Sequence, residues 1–126
     1  MLATVRDAAL ANPVRTLGAL RLVVGVSAFA TPGLTWGVAG MGKPESASSE
    51  VMTRMFAARE LALAAGAFSP DPDVREATIK IGIGVDALDA LAYTVGLKKG
   101  APKTSAMSAA LALTAVGLGI AALDAG

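Results

Sequence analysis

Charged residues interrupt three long apolar stretches of the sequence. Arg21 lies within the first stretch, the adjacent pair Arg59 and Glu60 within the second, and Asp86 and Asp89 within the third. An unpaired charge in an apolar interior costs several kcal/mol, so opposite charges at similar depth should pair. We therefore expect an interior site built from arginine and carboxylate side chains.

Carboxylates held beside arginine in a low-dielectric site can support acid–base chemistry. One carboxylic acid can keep its proton and act as a general acid, while a second, arginine-paired carboxylate acts as a base. The candidate catalytic residues are Asp86, Asp89 and Glu60. The candidate substrate-binding residues are Arg59, Arg21 and Tyr93, the last being the only tyrosine in the chain. These groups suffice for isomerisation, cyclisation or epoxide opening of a small lipophilic substrate, and no motif selects among the three.

The composition removes most other catalytic chemistries. The chain has no cysteine, which excludes thiolate nucleophiles and thiolate metal sites, and no histidine, which excludes the usual general base and the commonest metal ligand. An oxygen-ligand metal site at Asp86, Asp89 and Glu60 is disfavoured because Arg21 and Arg59 would repel a cation. We expect neither a metal nor a cofactor. A net charge of +1 does not indicate a nucleic-acid partner.

Breaker and capping residues divide the chain into four predicted helices. Asn12 and Pro13 begin the first, Pro32-Gly33 ends it, and Lys98-Lys99 followed by Gly100 ends the third. The predicted helices cover about 13–31, 50–68, 74–99 and 104–123. The second is expected to be capped by Ser48 or Ser49, and the third by an Asp73–Glu76 capping box. Segment 2–11 is either an amphipathic helix on a membrane surface or a loosely docked terminus.

The composition favours a membrane protein. Hydrophobic residues make up 54% of the chain and mean hydropathy is +0.60. Only 17% of residues are charged, against about 25% in soluble proteins. The fourth helix is uncharged over 105–123, a length that spans the hydrocarbon core. We predict an all-α, antiparallel four-helix transmembrane bundle over residues 1–126, multi-pass in the cell membrane. A soluble helical bundle is the alternative, because charges interrupt the second and third helices.

Helical spacing predicts which faces point inward. Three stripes combine small and polar residues, as closely packed membrane helices do. They are Gly18, Arg21, Gly25 and Ala28; Gly82, Asp86, Asp89 and Tyr93; and Ser108, Ala112, Ala115 and Gly119. At 1.5 Å per residue, Arg21, Arg54 and Arg59 lie at depths similar to those of the three carboxylates, so the charges balance. Asp86 or Glu60 is the expected partner of Arg59, and Glu50 is an alternative partner for Arg54.

Three segments of the sequence resemble a known family. They are RLVVGVSAFATPG, MTRMFAARELALAAG and GVDALDALAY, in that order. Together they resemble a family of small four-helix membrane proteins catalogued as a domain of unknown function of the 4267 type. The family's recurring marks fall on Arg21, on Arg59-Glu60, and on Asp86 with Asp89. The resemblance implies a four-helix membrane fold and no particular activity.

Two functions are consistent with these patterns. The first is a buried arginine–carboxylate site that binds a small lipophilic molecule and acts on it without a cofactor, as a membrane isomerase, cyclase or epoxide hydrolase. The second is a non-catalytic accessory subunit or oligomerising scaffold, in which the charges form a structural network that fixes helix register. The expected partners are the lipid bilayer, the small lipophilic ligand and, for an oligomer, further copies of the chain.

Overall fold

The computed structural model describes residues 2–125, and within that range it contains helices and connecting segments but no strand. Six α-helices and a 3-10 turn at Lys103–Ser105 account for its regular structure. The helices are α1 Leu2–Ala11, α2 Pro13–Ala30, α3 Pro32–Val38, α4 Ala47–Ala67, α5 Pro72–Lys98 and α6 Ala106–Asp124. The all-α prediction is confirmed. The four predicted helices correspond to α2, α4, α5 and α6, with shifts of one to three residues at most ends.

Proline and short polar side chains set the helix starts. The Asn12 side chain accepts a hydrogen bond from the Arg15 amide at 3.1 Å, and Pro13 comes next at the first helical position, as predicted. At α5 the predicted cap is wrong, because Asp71 and not Asp73 caps the helix. Pro72 explains the difference, since it takes the first helical position and keeps the residue before it extended.

The start of α4 also differs from the prediction. Ser46 caps the helix by accepting a hydrogen bond from the Ser49 amide at 3.2 Å, so neither Ser48 nor Ser49 is the cap. The helix therefore begins at Ala47, three residues before the predicted start. Three cap-forming serines were available within residues 46–49, and the sequence alone did not separate them.

Helix α3 lies where the sequence analysis predicted a break and a loop. Pro32 occupies its first helical position, so the proline that ends α2 also begins the next helix. Trp36 is part of α3, and its indole N–H donates a hydrogen bond to Thr53 Oγ1 of α4 at 2.6 Å.

The four long helices pack in two main pairs. Helix α2 packs chiefly against α4, and α5 against α6, while α4 also contacts α5 and α2 contacts α6. Small residues allow these approaches. A Cβ atom on Gly25 would lie 3.2 Å from the Ala57 carbonyl oxygen, and one on Gly119 would lie 2.6 Å from Ile83 Cγ1. Both glycines belong to predicted small-residue stripes, which are thus confirmed as packing faces.

Three charged side chains are buried, while many large apolar side chains are exposed. Arg21, Glu60 and Asp86 are only 4–5% exposed, and most buried apolar residues are alanines. Large apolar side chains cover the outside, among them Val23, Met55, Ile81, Leu88, Leu91, Leu113 and Ile120. Two helical segments of the described chain are long and apolar enough to span a membrane, Pro13–Ala30 and Lys103–Asp124.

Candidate functional site

Arg21 is the centre of a buried ion-pair network that joins three helices. Its Nη1 donates to Glu60 Oε2 of α4 at 3.0 Å, and its Nη2 donates to Asp86 Oδ2 of α5 at 2.5 Å. A longer bond of 3.3 Å joins Nη1 to Asp86 Oδ1, so Asp86 is held by both of its oxygens. All three side chains are at least nine-tenths buried. The predicted pairing of opposite charges within the interior is confirmed here.

Gly82 explains how Arg21 reaches α5. A Cβ atom at this position would lie 2.7 Å from Arg21 Nη2, which is closer than any real contact of that kind. The missing side chain leaves room for the guanidinium, which then meets Asp86 one helical turn further along α5. The stripe Gly82, Asp86, Asp89 and Tyr93 therefore combines a glycine that admits the cation with a carboxylate that binds it.

A second ion pair lies beside the first. Arg59 Nη2 donates to Asp89 Oδ2 at 2.6 Å, and the same nitrogen lies 3.5 Å from Glu60 Oε1. The side chains of Arg59 and Asp89 are 36% and 25% exposed, so this pair is only partly buried. The Arg59 guanidinium also lies 4.8 Å from the centroid of the Phe56 ring. The shortest bond of Arg59 is to Asp89, which was not predicted as its partner. Of the two predicted partners, Glu60 is a longer contact and Asp86 forms no ion pair with Arg59.

Arg54 does not join the network. Its Nη1 lies 3.8 Å from Glu50 one turn earlier, its Nε donates to the Phe29 carbonyl oxygen at 3.1 Å, and its side chain is 42% exposed. The interior site therefore contains two guanidinium groups and three carboxylates, which is an excess of one negative charge when all are ionised. The predicted balance of three cations and three anions is wrong, because Arg54 pairs locally at the surface.

The carboxylates are close enough to hold a metal ion, but the arginines occupy them. One oxygen from each of Glu60, Asp86 and Asp89 lies within 4.8 Å of the others. Guanidinium nitrogens contact both oxygens of Asp86, both oxygens of Glu60 and one oxygen of Asp89. A divalent ion would have to displace two buried arginines to collect the oxygen ligands that it needs. The arrangement does not favour a metal centre.

A cavity of about 750 Å³ adjoins the network and opens to the outside, where Leu34, Val38, Met52 and Met107 of its wall are exposed. Most of its wall is aliphatic and comes from α2, α3, α4 and α6. The charged residues in its wall are Arg21, Glu60, Asp86 and Asp89. Three of the five aromatic residues in the chain also line it, namely Trp36, Phe56 and Tyr93. Five of the six candidate site residues thus line one cavity, and the sixth, Arg59, pairs with Asp89, which is one of the five.

One part of the cavity wall was missed by the sequence analysis. Residues 32–41, here called the cap segment, contribute Trp36 and several apolar side chains to the lining. Two hydrogen bonds tie the segment to the start of α6, from Ser108 Oγ to the Ala39 carbonyl at 2.8 Å and from Thr104 Oγ1 to the Gly40 carbonyl at 2.7 Å. Gly40 has φ +76°, and a Cβ there would lie 2.5 Å from the Thr104 carbonyl oxygen. Pro32 at a helix start was the available signal for this segment.

The functional interpretation of the site rests on this geometry. The network fixes the carboxylates in place, and the cavity gives a molecule access to them. The resemblance to a family of four-helix membrane proteins stays a prediction. Comparisons with protein families, with curated proteins and with solved structures found no significant match to this chain.

Proposed function

We propose that this protein is an integral membrane protein that binds a small lipophilic molecule in the cavity beside the ion-pair network and acts on it by acid–base chemistry. The observation that carries the proposal is the cavity itself. It is largely apolar, yet every strongly buried charge among residues 2–125 lies in its wall. Its volume of about 750 Å³ falls within the range of about 300–1,000 Å³ that is typical of ligand sites.

The membrane part of the proposal is supported by the large apolar side chains that are exposed on all four long helices, and by the burial of Arg21, Glu60 and Asp86. In our account α2, α4, α5 and α6 form an antiparallel bundle that crosses the membrane four times. Helices α4 and α5 carry charges that lower their mean hydropathy, but Glu60 and Asp86 point into the interior. Most exposed positions near the middle of these helices are apolar, including Met55 and Leu88, and the exposed Arg54 on α4 is paired with Glu50. Lipid would therefore meet mainly apolar side chains on all four helices, while Arg21, Glu60 and Asp86 stay paired inside.

The hydrogen-bond pattern suggests a role for each carboxylate. Asp86 is fixed by Arg21 through both oxygens, and Glu60 through one oxygen. Asp89 is bound through Oδ2 only, and within residues 2–125 no hydrogen bond reaches its Oδ1. Asp89 is therefore the best placed general base for a proton of a bound molecule or of a water. Tyr93, one turn further along α5, supplies a hydroxyl that can orient the molecule. Isomerisation, cyclisation and epoxide opening need no more than these groups.

A substitution that fills the cavity tests the binding proposal. Ala112 lines the cavity, whereas Ala110 lies on the exposed face of the same helix. We expect a lipophilic compound to be enriched in organic extracts of the purified wild-type protein and of Ala110→Phe, and to be lost from Ala112→Phe. Mass spectrometry of the extracts measures the difference. Identical extracts from a folded Ala112→Phe protein and from the wild type would contradict binding in this cavity.

Removal of single carboxylates tests the catalytic part. Asp86→Asn and Asp89→Asn keep the side-chain shape and remove the titrating group. We expect both variants to insert into membranes, and at least one of them to fail to complement a deletion of the gene. If both complement fully, the carboxylates have no catalytic role, and the accessory-subunit or scaffold function takes precedence. That second function is favoured by one observation, namely that Arg21 joins α2, α4 and α5.

A further inference from the structure

We infer that the cavity selects a lipophilic cation, a molecule whose ammonium group binds beside Asp89 and whose apolar part fills the aliphatic region. The inference rests on the proposed function, because it specifies the ligand chemistry of the same cavity. Three independent features of the cavity wall support it: its charge, the acceptor that remains free, and its aromatic residues.

The first feature is the charge of the wall. Three carboxylates and one guanidinium, that of Arg21, line the cavity. Both terminal nitrogens of Arg21 already donate to Glu60 and Asp86. An anionic head group would therefore lie beside carboxylates, and the nitrogens of the one lining cation, Arg21, would already be bonded to Glu60 and Asp86. When all three carboxylates are ionised, a monovalent cation would instead neutralise the excess negative charge, which is costly in apolar surroundings.

The second feature is the number of free acceptors. Glu60, Asp86 and Asp89 have six carboxylate oxygens, and arginine nitrogens contact five of them. The sixth, Asp89 Oδ1, accepts no hydrogen bond from residues 2–125. One free carboxylate oxygen suits a single N–H donor with a positive charge, and such charge-assisted bonds are stronger than neutral ones. It does not suit a divalent metal ion, which takes six or more oxygen ligands, or several with retained water. The acceptor pattern thus distinguishes an ammonium group from a metal.

The third feature is the aromatic content of the wall. Trp36, Phe56 and Tyr93 all line the cavity, although aromatic residues make up only 4% of the chain. Aromatic faces attract ammonium groups within about 6 Å, and the attraction strengthens away from water. Phe56 already binds one cation in this way, since the Arg59 guanidinium lies 4.8 Å from its ring centroid. The same chemistry recognises a cationic ligand on the cavity side.

Trp36 provides the measurement, because it is the only tryptophan in the chain and lines the cavity. Three probes share one alkyl chain and differ in head group: dodecylammonium, dodecanol and dodecanoate. The full-length protein in neutral detergent is titrated with each probe, and free probe concentrations are measured by dialysis. We expect saturable changes in Trp36 fluorescence, with dodecylammonium binding about tenfold or more tightly than dodecanol. Dodecanoate should bind most weakly.

Matched variants assign the selectivity to the carboxylate. Asp89→Asn should weaken dodecylammonium binding about tenfold and change dodecanol binding less than about twofold. Asp89→Glu should restore the preference. Glu76→Gln removes a carboxylate from the exposed side of the same helix and should change neither probe. Each variant is compared with the wild type for the same probe, so the partitioning of that probe into micelles cancels from the ratio of the two affinities.

The outcomes separate this inference from the proposed function. If wild-type protein binds dodecanol as tightly as dodecylammonium, the cation preference is refuted and the lipophilic cavity stands. The same holds if the preference persists in Asp89→Asn. If no probe binds to protein that circular dichroism shows to be helical, both the inference and the proposed function fail. The comparison of probes on the wild type decides the matter even if Asp89→Asn does not fold.

Discussion

Replacement of Arg21 by methionine should destabilise the protein more than replacement of any other arginine. Methionine keeps an unbranched apolar stem but donates no hydrogen bond. The change removes three hydrogen bonds and leaves Glu60 and Asp86, whose side chains are each 6% exposed, without their main cation. Breaking a buried ion pair by removing one partner costs about 3–5 kcal/mol. A chain of this length melts about 4 °C lower for each kcal/mol lost, so the expected decrease is about 12–20 °C.

Arg54→Met is the matched control for this change. Arg54 is also an arginine in a long helix and also has a carboxylate partner, but its pair is 3.8 Å long and its side chain is 42% exposed. Such pairs contribute about 0–1 kcal/mol, so melting should change by less than about 4 °C. Circular dichroism at 222 nm in detergent follows both unfolding transitions. If Arg21→Met melts within a few degrees of Arg54→Met, the buried network does not stabilise the fold.

Three further predictions concern the glycine beside the network, the second ion pair and the membrane. Gly82→Ala should lower the melting temperature, because the new Cβ would displace Arg21. Gly84→Ala has open space around it and should raise stability by about 0.5–1 kcal/mol through helix propensity. Equal effects of the two substitutions would refute the close approach of Arg21 to Gly82. Arg59→Met should lower the free energy of unfolding by only about 1–2 kcal/mol, because the side chain is 36% exposed. In a double-mutant cycle, adding Asp89→Asn should recover part of that loss, and additive losses would refute the ion pair. Alkaline carbonate washing should leave the protein in the membrane pellet, and its release as a monodisperse soluble protein would refute membrane integration.

Local signals in the sequence predicted the helices better than they predicted the connections. The Asn12-Pro13 start and the inward stripes came from spacing that depends only on helix geometry, and the structure agrees with both. The same proline rule, applied to Pro32, would have predicted α3, but the Pro32-Gly33 pair was interpreted only as a break. A proline ends one helix and favours the start of another, and only tertiary contacts such as that of Trp36 with Thr53 decide whether the next segment is a helix or a loop.

Depth along each helix predicted Arg21, Arg59, Glu60, Asp86 and Asp89 as members of the charged cluster, but it wrongly included Arg54 and did not predict the pairing. Depth placed Arg21 and Arg54 near the same carboxylates, yet the first is buried and the second lies at the surface. The difference depends on which way each helix faces, which a depth estimate does not include. Likewise, the ion pair between Arg21 and Asp86 depends on the space beside Gly82, where α2 and α5 meet. The cavity could not be predicted for the same reason, since four helices and the cap segment enclose it.

The central claim is that all four long helices cross the bilayer around the charged cavity. The chain has no native cysteine, so a single nitroxide can be attached through one introduced cysteine at a time. Val26, Met55, Leu88 and Leu113 give one exposed apolar site outside the cavity wall on each of α2, α4, α5 and α6, and Ser48 gives an exposed reference near the start of α4. In lipid vesicles, our account predicts frequent collisions with oxygen and rare collisions with a polar nickel chelate at all four apolar sites, with the reverse at Ser48. Nickel collisions on α4 and α5 as frequent as those at Ser48 would contradict it, because the charged cluster would then lie outside the membrane.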